Sequence, residues 1–224
     1  MKKSLAAIFS LLILSAVFSL SGCLADAVAD DGSGYPASGS GSSGTGTGWA
    51  LCKDSSYDIF DMQVWGDGAG KFVYKNESGY GRFTVTELGG GWVGGGLICA
   101  DTTKTFNFTG VKKMKFDIRG NVSPKALCIA AQNNKGASAK MYPDKKDLTT
   151  MAKITNLSET NWTSVEFDVS GAASDVIINA FCIIVAHDWD ETKDPNLFKV
   201  NDYFEIRNLD WVDSDGKSVK LSLK

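Results

Sequence analysis

Apolar and polar side chains alternate over residues 82–86, 113–119 and 164–169 of this 224-residue chain. A period of two places successive side chains on opposite faces of a β-strand, one face buried and one exposed. The segment 176–186 is apolar on both faces, which predicts a central strand that is covered on both sides. The pattern therefore predicts that this region folds into β-sheets.

Turn-forming residues separate these segments. The breaks are rich in Gly, Asn, Asp or Pro and fall at 66–70, 76–79, 89–91, 121–124 and 133–136. Only 142–157 is a candidate for a short helix. About ten short strands with turns between them predict an all-β protein, an antiparallel β-sandwich, with an up-and-down barrel as the alternative.

The N-terminus has the composition of a secretory signal. Lys2 and Lys3 precede an apolar run over 5–20, which ends in Leu20-Ser21-Gly22-Cys23. These features resemble a bacterial lipoprotein signal, which implies removal of 1–22 and acylation of Cys23. The alternatives are an ordinary signal peptide or a single membrane-spanning helix, although a spanning helix needs about 20 apolar residues.

A flexible tether is predicted after the lipidated cysteine. Residues 32–48 are almost wholly Gly, Ser and Thr, a composition that buries little apolar surface. A coil of about 25 residues has a reach of about 25–30 Å. We therefore predict a tether over 23–48 and one domain, the head, over 49–224. Leu24 resembles the residue found after the cysteine in outer-membrane lipoproteins, so we expect a lipid-anchored protein at the outer membrane or cell surface.

Charge and cysteine content narrow the possible partners of the head. It carries 21 Lys and Arg against 23 Asp and Glu, so it lacks the basic excess of a nucleic-acid-binding domain. Outside the cytoplasm its four cysteines could form two disulfides in three pairings, or they could be buried thiols. These cysteines are Cys52, Cys99, Cys128 and Cys182.

Four segments of the head carry a family resemblance. They are Gly-Trp-Val-Gly-Gly-Gly at 91–96, Phe-Asp-Ile-Arg-Gly at 116–120, Trp-Thr-Ser-Val at 162–165 and Phe-Glu-Ile-Arg-Asn-Leu-Asp-Trp at 204–211. In this order they resemble the jelly-roll carbohydrate-binding modules of galactose-binding-like fold, especially β-glucan binders of bacterial cellulases. The resemblance implies two stacked sheets and a polysaccharide lying along a concave face lined with aromatic and polar side chains.

One position departs from that family. Many such modules carry a calcium-binding aspartate in the last strand, where this chain has Arg207. A guanidinium cannot bind Ca²⁺, which takes oxygen ligands. No cofactor is therefore predicted, while Asp58, Asp61 and Asp67 leave a different calcium site open.

Two tryptophans are candidates for stacking on sugar rings. Trp189 lies among the charged residues of 187–191, where burial is unfavourable, and Trp92 is surrounded by glycines that allow a ligand to approach closely. The alternatives are packing in the core for either ring and a simple β-bulge for the glycines.

Strand alternation selects the polar candidates. If Phe116 and Ile118 face the core, Asp117 and Arg119 face the opposite side. The same reasoning gives Arg82 and Gln132, whose side chains can pair with sugar hydroxyls. The alternative is a solvated sheet face or a structural pairing of Asp117 with Arg119.

Catalysis is the less favoured function. His187 is the only histidine, and no nucleophile motif is recognisable. A glycosidase would need two carboxyl groups about 5–5.5 Å or about 6.5–9.5 Å apart. Candidates for that pair are Glu77, Glu87, Glu166 and Glu205. We predict a non-catalytic protein that binds polysaccharide, with a jelly-roll glycosidase or a protein-binding envelope protein as alternatives.

Overall fold

The computed structural model describes residues 48–66, 71–88, 91–133, 138–144, 146–186 and 197–224. The predicted signal peptide, Cys23 and nearly all of the tether lie outside these ranges. The strands are β1 (Phe60–Gly66), β2 (Lys71–Glu77), β3 (Tyr80–Glu87), β4 (Trp92–Cys99), β5 (Phe106–Asn107), β6 (Lys113–Gly120), β7 (Leu127–Asn133), β8 (Met141–Tyr142), β9 (Thr163–Asp168), β10 (Ile177–Ala186), β11 (Tyr203–Val212) and β12 (Ser222–Leu223). The helix α1 (Leu148–Ala152) lies within the segment predicted to contain one.

The strands form two antiparallel sheets. The smaller sheet has the order β2-β3-β11-β6-β9. In the larger sheet, β4 pairs with β1 and β10, and β10 also pairs with β5 and β7. Beyond these, β12 pairs with β5 and β8 pairs with β7. This arrangement confirms the predicted antiparallel β-sandwich of jelly-roll class, and not the barrel alternative.

The main core lies between the two sheets. Phe116 and Ile118 of β6 point into it, as the alternation predicted, and are 2% and 0% exposed. The ring of Phe116 meets Phe181 of the larger sheet edge-on, with centroids 5.9 Å apart. Trp211 is also fully buried, and its Nε1 donates to the carbonyl oxygen of Ala180 over 3.0 Å.

The strand β10 is covered on both sides, as predicted for a central strand. One side faces the main core through residues such as Phe181 and Ile183. On the other side lies a second, smaller apolar cluster, against which Trp92 packs. The buried members of this cluster are Cys128, Ala130, Met141, Cys182, Ile184 and Ala186.

The cysteines of the head are all buried. Cys52 and Cys99 are thiols, so the buried-thiol alternative holds for both of them. Burial, with a smaller contribution from the charge of Asp101, raises the pKa of Cys99 to about 11. Such a thiol is protonated and weakly nucleophilic at neutral pH.

The described residues include no helix that is both long and apolar enough to cross a bilayer.

Candidate functional site

The outer side of the smaller sheet presents a row of polar side chains that crosses four neighbouring strands. Lys75 of β2 lies opposite Arg82 of β3, Arg82 lies opposite Glu205 of β11, and Glu205 lies opposite Arg119 of β6. Thr163 of β9 pairs with Ile118 of β6. Trp162, the residue before Thr163, therefore lies beside Arg119, the residue after Ile118. We call this side of the smaller sheet the outer face.

Glu205 is the centre of the row. One carboxylate oxygen accepts a hydrogen bond from Nη1 of Arg82 over 2.8 Å, and the other accepts from Nε of Arg119. Only 2% of the Glu205 side chain is exposed, whereas Arg82 and Arg119 are 36% and 23% exposed. A buried carboxylate needs charged or polar partners, and these two guanidinium groups supply them.

Aromatic rings lie against the guanidinium groups of the outer face. The guanidinium carbon of Arg82 is 3.7 Å from the centroid of the Tyr203 ring. Those of Arg119 and Arg207 are 4.5 and 4.3 Å from the centroid of the Trp162 ring. These are cation–π distances, so the rings and the cations hold one another in place.

The rings are only partly covered by their neighbours. Trp162 and Tyr80 meet edge-on with centroids 5.9 Å apart, and Trp162, Tyr80 and Tyr203 are all half-buried. Each ring therefore keeps part of its surface open to solvent. A half-exposed aromatic ring on a sheet face is able to contact a ligand without any rearrangement of the core.

A second row contains Asp117. Its Oδ2 accepts hydrogen bonds from Nε of Arg207 over 3.0 Å and from Nδ2 of Asn208 over 2.8 Å. Its Oδ1 accepts from Oγ of Ser164 over 2.7 Å. Burial alone would raise the pKa of Asp117, but these three hydrogen bonds and the charge of Arg207 outweigh it and hold the pKa below its ordinary value.

A groove with a volume of about 610 Å³ continues from this second row. Its polar lining consists of Lys53, Lys115, Asp117, Ser164, Glu166, Asn208 and Asp210. Lys53 pairs with Asp210 over 2.7 Å, and Lys115 pairs with Glu166 over 2.8 Å. The groove thus offers both donors and acceptors, and its lysines are paired with carboxylates.

Three of the predicted ligand-binding residues meet on the outer face. Arg82, Asp117 and Arg119 all lie there, on β3 and β6. Asp117 pairs with Arg207, and Arg119 pairs with Glu205, so the suggested structural pair of Asp117 with Arg119 is not formed. Residues on neighbouring strands supply the partners. Two residues that lie directly opposite each other on neighbouring strands are closer together than two residues at positions i and i+2 of one strand.

The other predicted residues do not join this face. Gln132 lies on β7 of the larger sheet, is 5% exposed and accepts a hydrogen bond from Nδ2 of Asn179 over 2.7 Å. Trp92 also belongs to the larger sheet, where it is half-buried against the second apolar cluster. Trp189 lies outside the described residues.

Sequence reasoning did not select several residues of the outer face as ligand contacts. It named Glu205 only as a possible catalytic carboxyl and Arg207 only as a departure from the calcium-binding pattern. Glu205 and Arg207 lie between the buried Phe204, Ile206 and Leu209, so the same alternation that selected Arg119 could have selected them. Trp162 carried no such signal, because it lies just before its strand and its position depends on the pairing of β9 with β6.

No cluster of three or more metal-binding side chains occurs among the described residues. Asp58 and Asp61 lie within the described ranges and Asp67 lies outside them.

Comparisons with known proteins concern the fold. No protein-family model matches the chain, and no curated protein matches it. The chain is similar to the family 11 carbohydrate-binding module of the cellulosomal cellulase Lic26A-Cel5E of Clostridium thermocellum, with 13% sequence identity, coverage of 73% of this chain and 93% of that one, and a TM-score of 0.43. It is also similar to a variant of a family 29 carbohydrate-binding module, with 14% identity, coverage of 71% and 86%, and a TM-score of 0.41.

A third similar structure is a variant of the module CBM29-2 in complex with cellulohexaose. It shares 14% identity with this chain, with coverage of 68% of this chain and 79% of that one and a TM-score of 0.39. At these identities and TM-scores, the similarity assigns no role to any residue of this chain.

Proposed function

We propose that this chain binds a polysaccharide and that the outer face of the smaller sheet is its contact surface. The observation that carries the proposal is the combination of half-exposed rings with hydrogen-bonding side chains on one face. Trp162, Tyr80 and Tyr203 supply the rings, and the rows around Glu205 and Asp117 supply the donors and acceptors. A pyranose ring has apolar C–H faces that stack on aromatic rings and hydroxyls that pair with polar groups.

The size of the face supports a polymeric ligand. Strands in a sheet are about 4.8 Å apart, so the five strands span about 19 Å from the first to the last. That width is enough for several sugar units in a row. A surface for a single monosaccharide would need only one ring and a few polar groups.

The charge pattern of the face favours a neutral sugar chain. Arg82 and Arg119 share Glu205, Arg207 pairs with Asp117, and Lys115 pairs with Glu166. Because these cations already have carboxylate partners, an anionic polymer would gain little from them. We therefore propose a β-glucan as the ligand, in agreement with the sequence resemblance to β-glucan-binding modules.

Glu166 is unsuited to the role of a glycosidase acid. A general acid needs a raised pKa, so that it carries a proton at neutral pH. Hydrogen bonds from Lys113 and Lys115 lower the pKa of Glu166 instead. Glu166 therefore does not support the glycosidase alternative.

Binding is tested with the full chain, purified in detergent, by affinity gel electrophoresis in soluble β-glucan. We expect Trp162→Ala to lose retention, since removing an aromatic contact costs about 2 kcal/mol, or about thirtyfold in affinity. Trp92→Ala is the control on the opposite sheet. Loss of retention in Trp92→Ala alone would place the contact surface on the larger sheet, and a wild-type chain that no polysaccharide retards would refute the function.

We also propose that the head is held at a membrane by acylation of Cys23 and separated from it by the tether over 23–48. The proposal rests on the apolar run and on Leu20-Ser21-Gly22-Cys23. Two or three acyl chains give stable anchoring. Cys23→Ser should move the protein out of the membrane fraction, and a variant that stays there after a salt wash would refute the anchor.

A further inference from the structure

Glu205 occupies an unusual place on the outer face. It lies on the outer side of β11, between Arg82 and Arg119 of the two neighbouring strands. Outward-facing glutamates of a sheet are ordinarily solvated, yet only 2% of this side chain is exposed. The two guanidinium groups cover the carboxylate, so a ligand lying on this face would meet the arginines and not Glu205.

The carboxylate fixes two ring contacts at the same time. Through one oxygen it holds Arg82, whose guanidinium lies over Tyr203 at 3.7 Å. Through the other it holds Arg119, whose guanidinium lies over Trp162 at 4.5 Å. Arginine side chains have many rotamers in solution, and these hydrogen bonds restrict both of them to the stacked arrangement.

We infer that Glu205 is the positioning residue of the polysaccharide-binding surface, acting through Arg82 and Arg119 without contact with the sugar. This inference rests on the proposed function. Without the carboxylate, two cations from neighbouring strands would repel each other, and both would turn away from Tyr203 and Trp162. The rings would then lose the support that orients them toward a ligand.

Asp101 provides a matched control outside the outer face. It follows β4 of the larger sheet and pairs with Lys104 over 3.8 Å. Unlike Glu205 it is 45% exposed, and its lysine contacts the carboxylate as a mobile point charge. Asp101→Asn changes the net charge of the chain by the same amount as Glu205→Gln without altering the proposed contact surface.

The first measurement is the affinity of the full chain for a soluble β-glucan oligosaccharide by calorimetry. We expect Glu205→Gln to weaken binding by about tenfold or more, since hydrogen bonds to charged groups contribute about 1.5–3 kcal/mol. Asp101→Asn should stay within about twofold of wild type. If Glu205→Gln does not fold, as judged by circular dichroism, Glu205→Asp replaces it, because the shorter side chain keeps the charge but cannot reach both arginines.

The second measurement needs no ligand. In ¹H–¹⁵N spectra, the Nε–H signal of Arg119 should be protected from exchange in wild type and Asp101→Asn and should lose protection in Glu205→Gln. A protected signal in Glu205→Gln would overturn the inference. Unchanged affinity in Glu205→Gln would also overturn it and leave the proposed function intact, whereas a wild-type chain that binds no glucan would overturn both.

Discussion

Arg207 donates a hydrogen bond from its Nε to Oδ2 of Asp117 over 3.0 Å. The two residues lie opposite each other on β11 and β6, and the guanidinium of Arg207 also contacts the ring of Trp162. In the modules that the sequence resembles, the corresponding position often holds a calcium-binding aspartate. Here it holds a cation that joins an acidic residue and an aromatic ring on the outer face.

We predict that Asp117 makes stability depend on pH in the acid range. Its pKa is lowered in the folded state, so its ionised form stabilises the fold fully above the ordinary pKa of about 3.9. That contribution is lost as the pH falls through the lowered folded-state pKa. Asp117→Asn should reduce the free energy of unfolding at pH 7 and weaken its fall below about pH 4.

Urea unfolding at a series of pH values measures this effect. Asp215→Asn is the control, because the Asp215 side chain is 71% exposed. If Asp117→Asn and wild type lose stability in parallel below about pH 4, the carboxylate of Asp117 contributes nothing to the acid transition.

We predict that Trp211 stabilises the fold through its indole nitrogen as well as its size. Trp211→Phe leaves the buried carbonyl oxygen of Ala180 without the 3.0 Å hydrogen bond, at a cost of about 1–3 kcal/mol. The smaller ring adds a cavity to that cost. Chemical denaturation should show a lower free energy of unfolding for Trp211→Phe and a much smaller decrease for Trp162→Phe on the surface. Equal decreases in the two variants would contradict this prediction.

We predict that Cys99 resists alkylation in the folded protein. It is 5% exposed and its pKa is about 11, so little thiolate is present at pH 8. Iodoacetamide labelling followed by peptide mass mapping should modify Cys99 only after urea is added. Rapid labelling in the absence of urea would show that the end of β4 opens readily.

We predict that Asn76 fixes the beginning of the head to the edge strand β2. Its Oδ1 accepts from the amide of Ala50 over 3.1 Å, and its Nδ2 donates to the carbonyl oxygen of Gly48 over 3.1 Å. Asn76→Ala should speed hydrogen exchange of the Ala50 amide by about fivefold or more, since one such hydrogen bond contributes about 1 kcal/mol. The Ala100 amide, bonded to Ile59, serves as the internal reference.

The sequence by itself determined the half-buried strands β3, β6 and β9 and the side of each that faces the core. Phe116 and Ile118 were predicted to face the core, and they do, because alternation is a local property of a strand. The central position of β10 followed from its apolar character on both faces. These predictions needed no knowledge of which strands are neighbours.

Tertiary structure decided which outward-facing residues meet. Alternation predicted that Gln132 and Arg119 both face away from the core. It contained no information that Gln132 lies on the larger sheet, buried beside Asn179. The partner of Arg119 is Glu205, 86 residues away along the chain. Strand order and register are set by burial across the whole sandwich, and one strand's sequence does not contain them. The outer face exists only because β3, β11 and β6 lie side by side in this register.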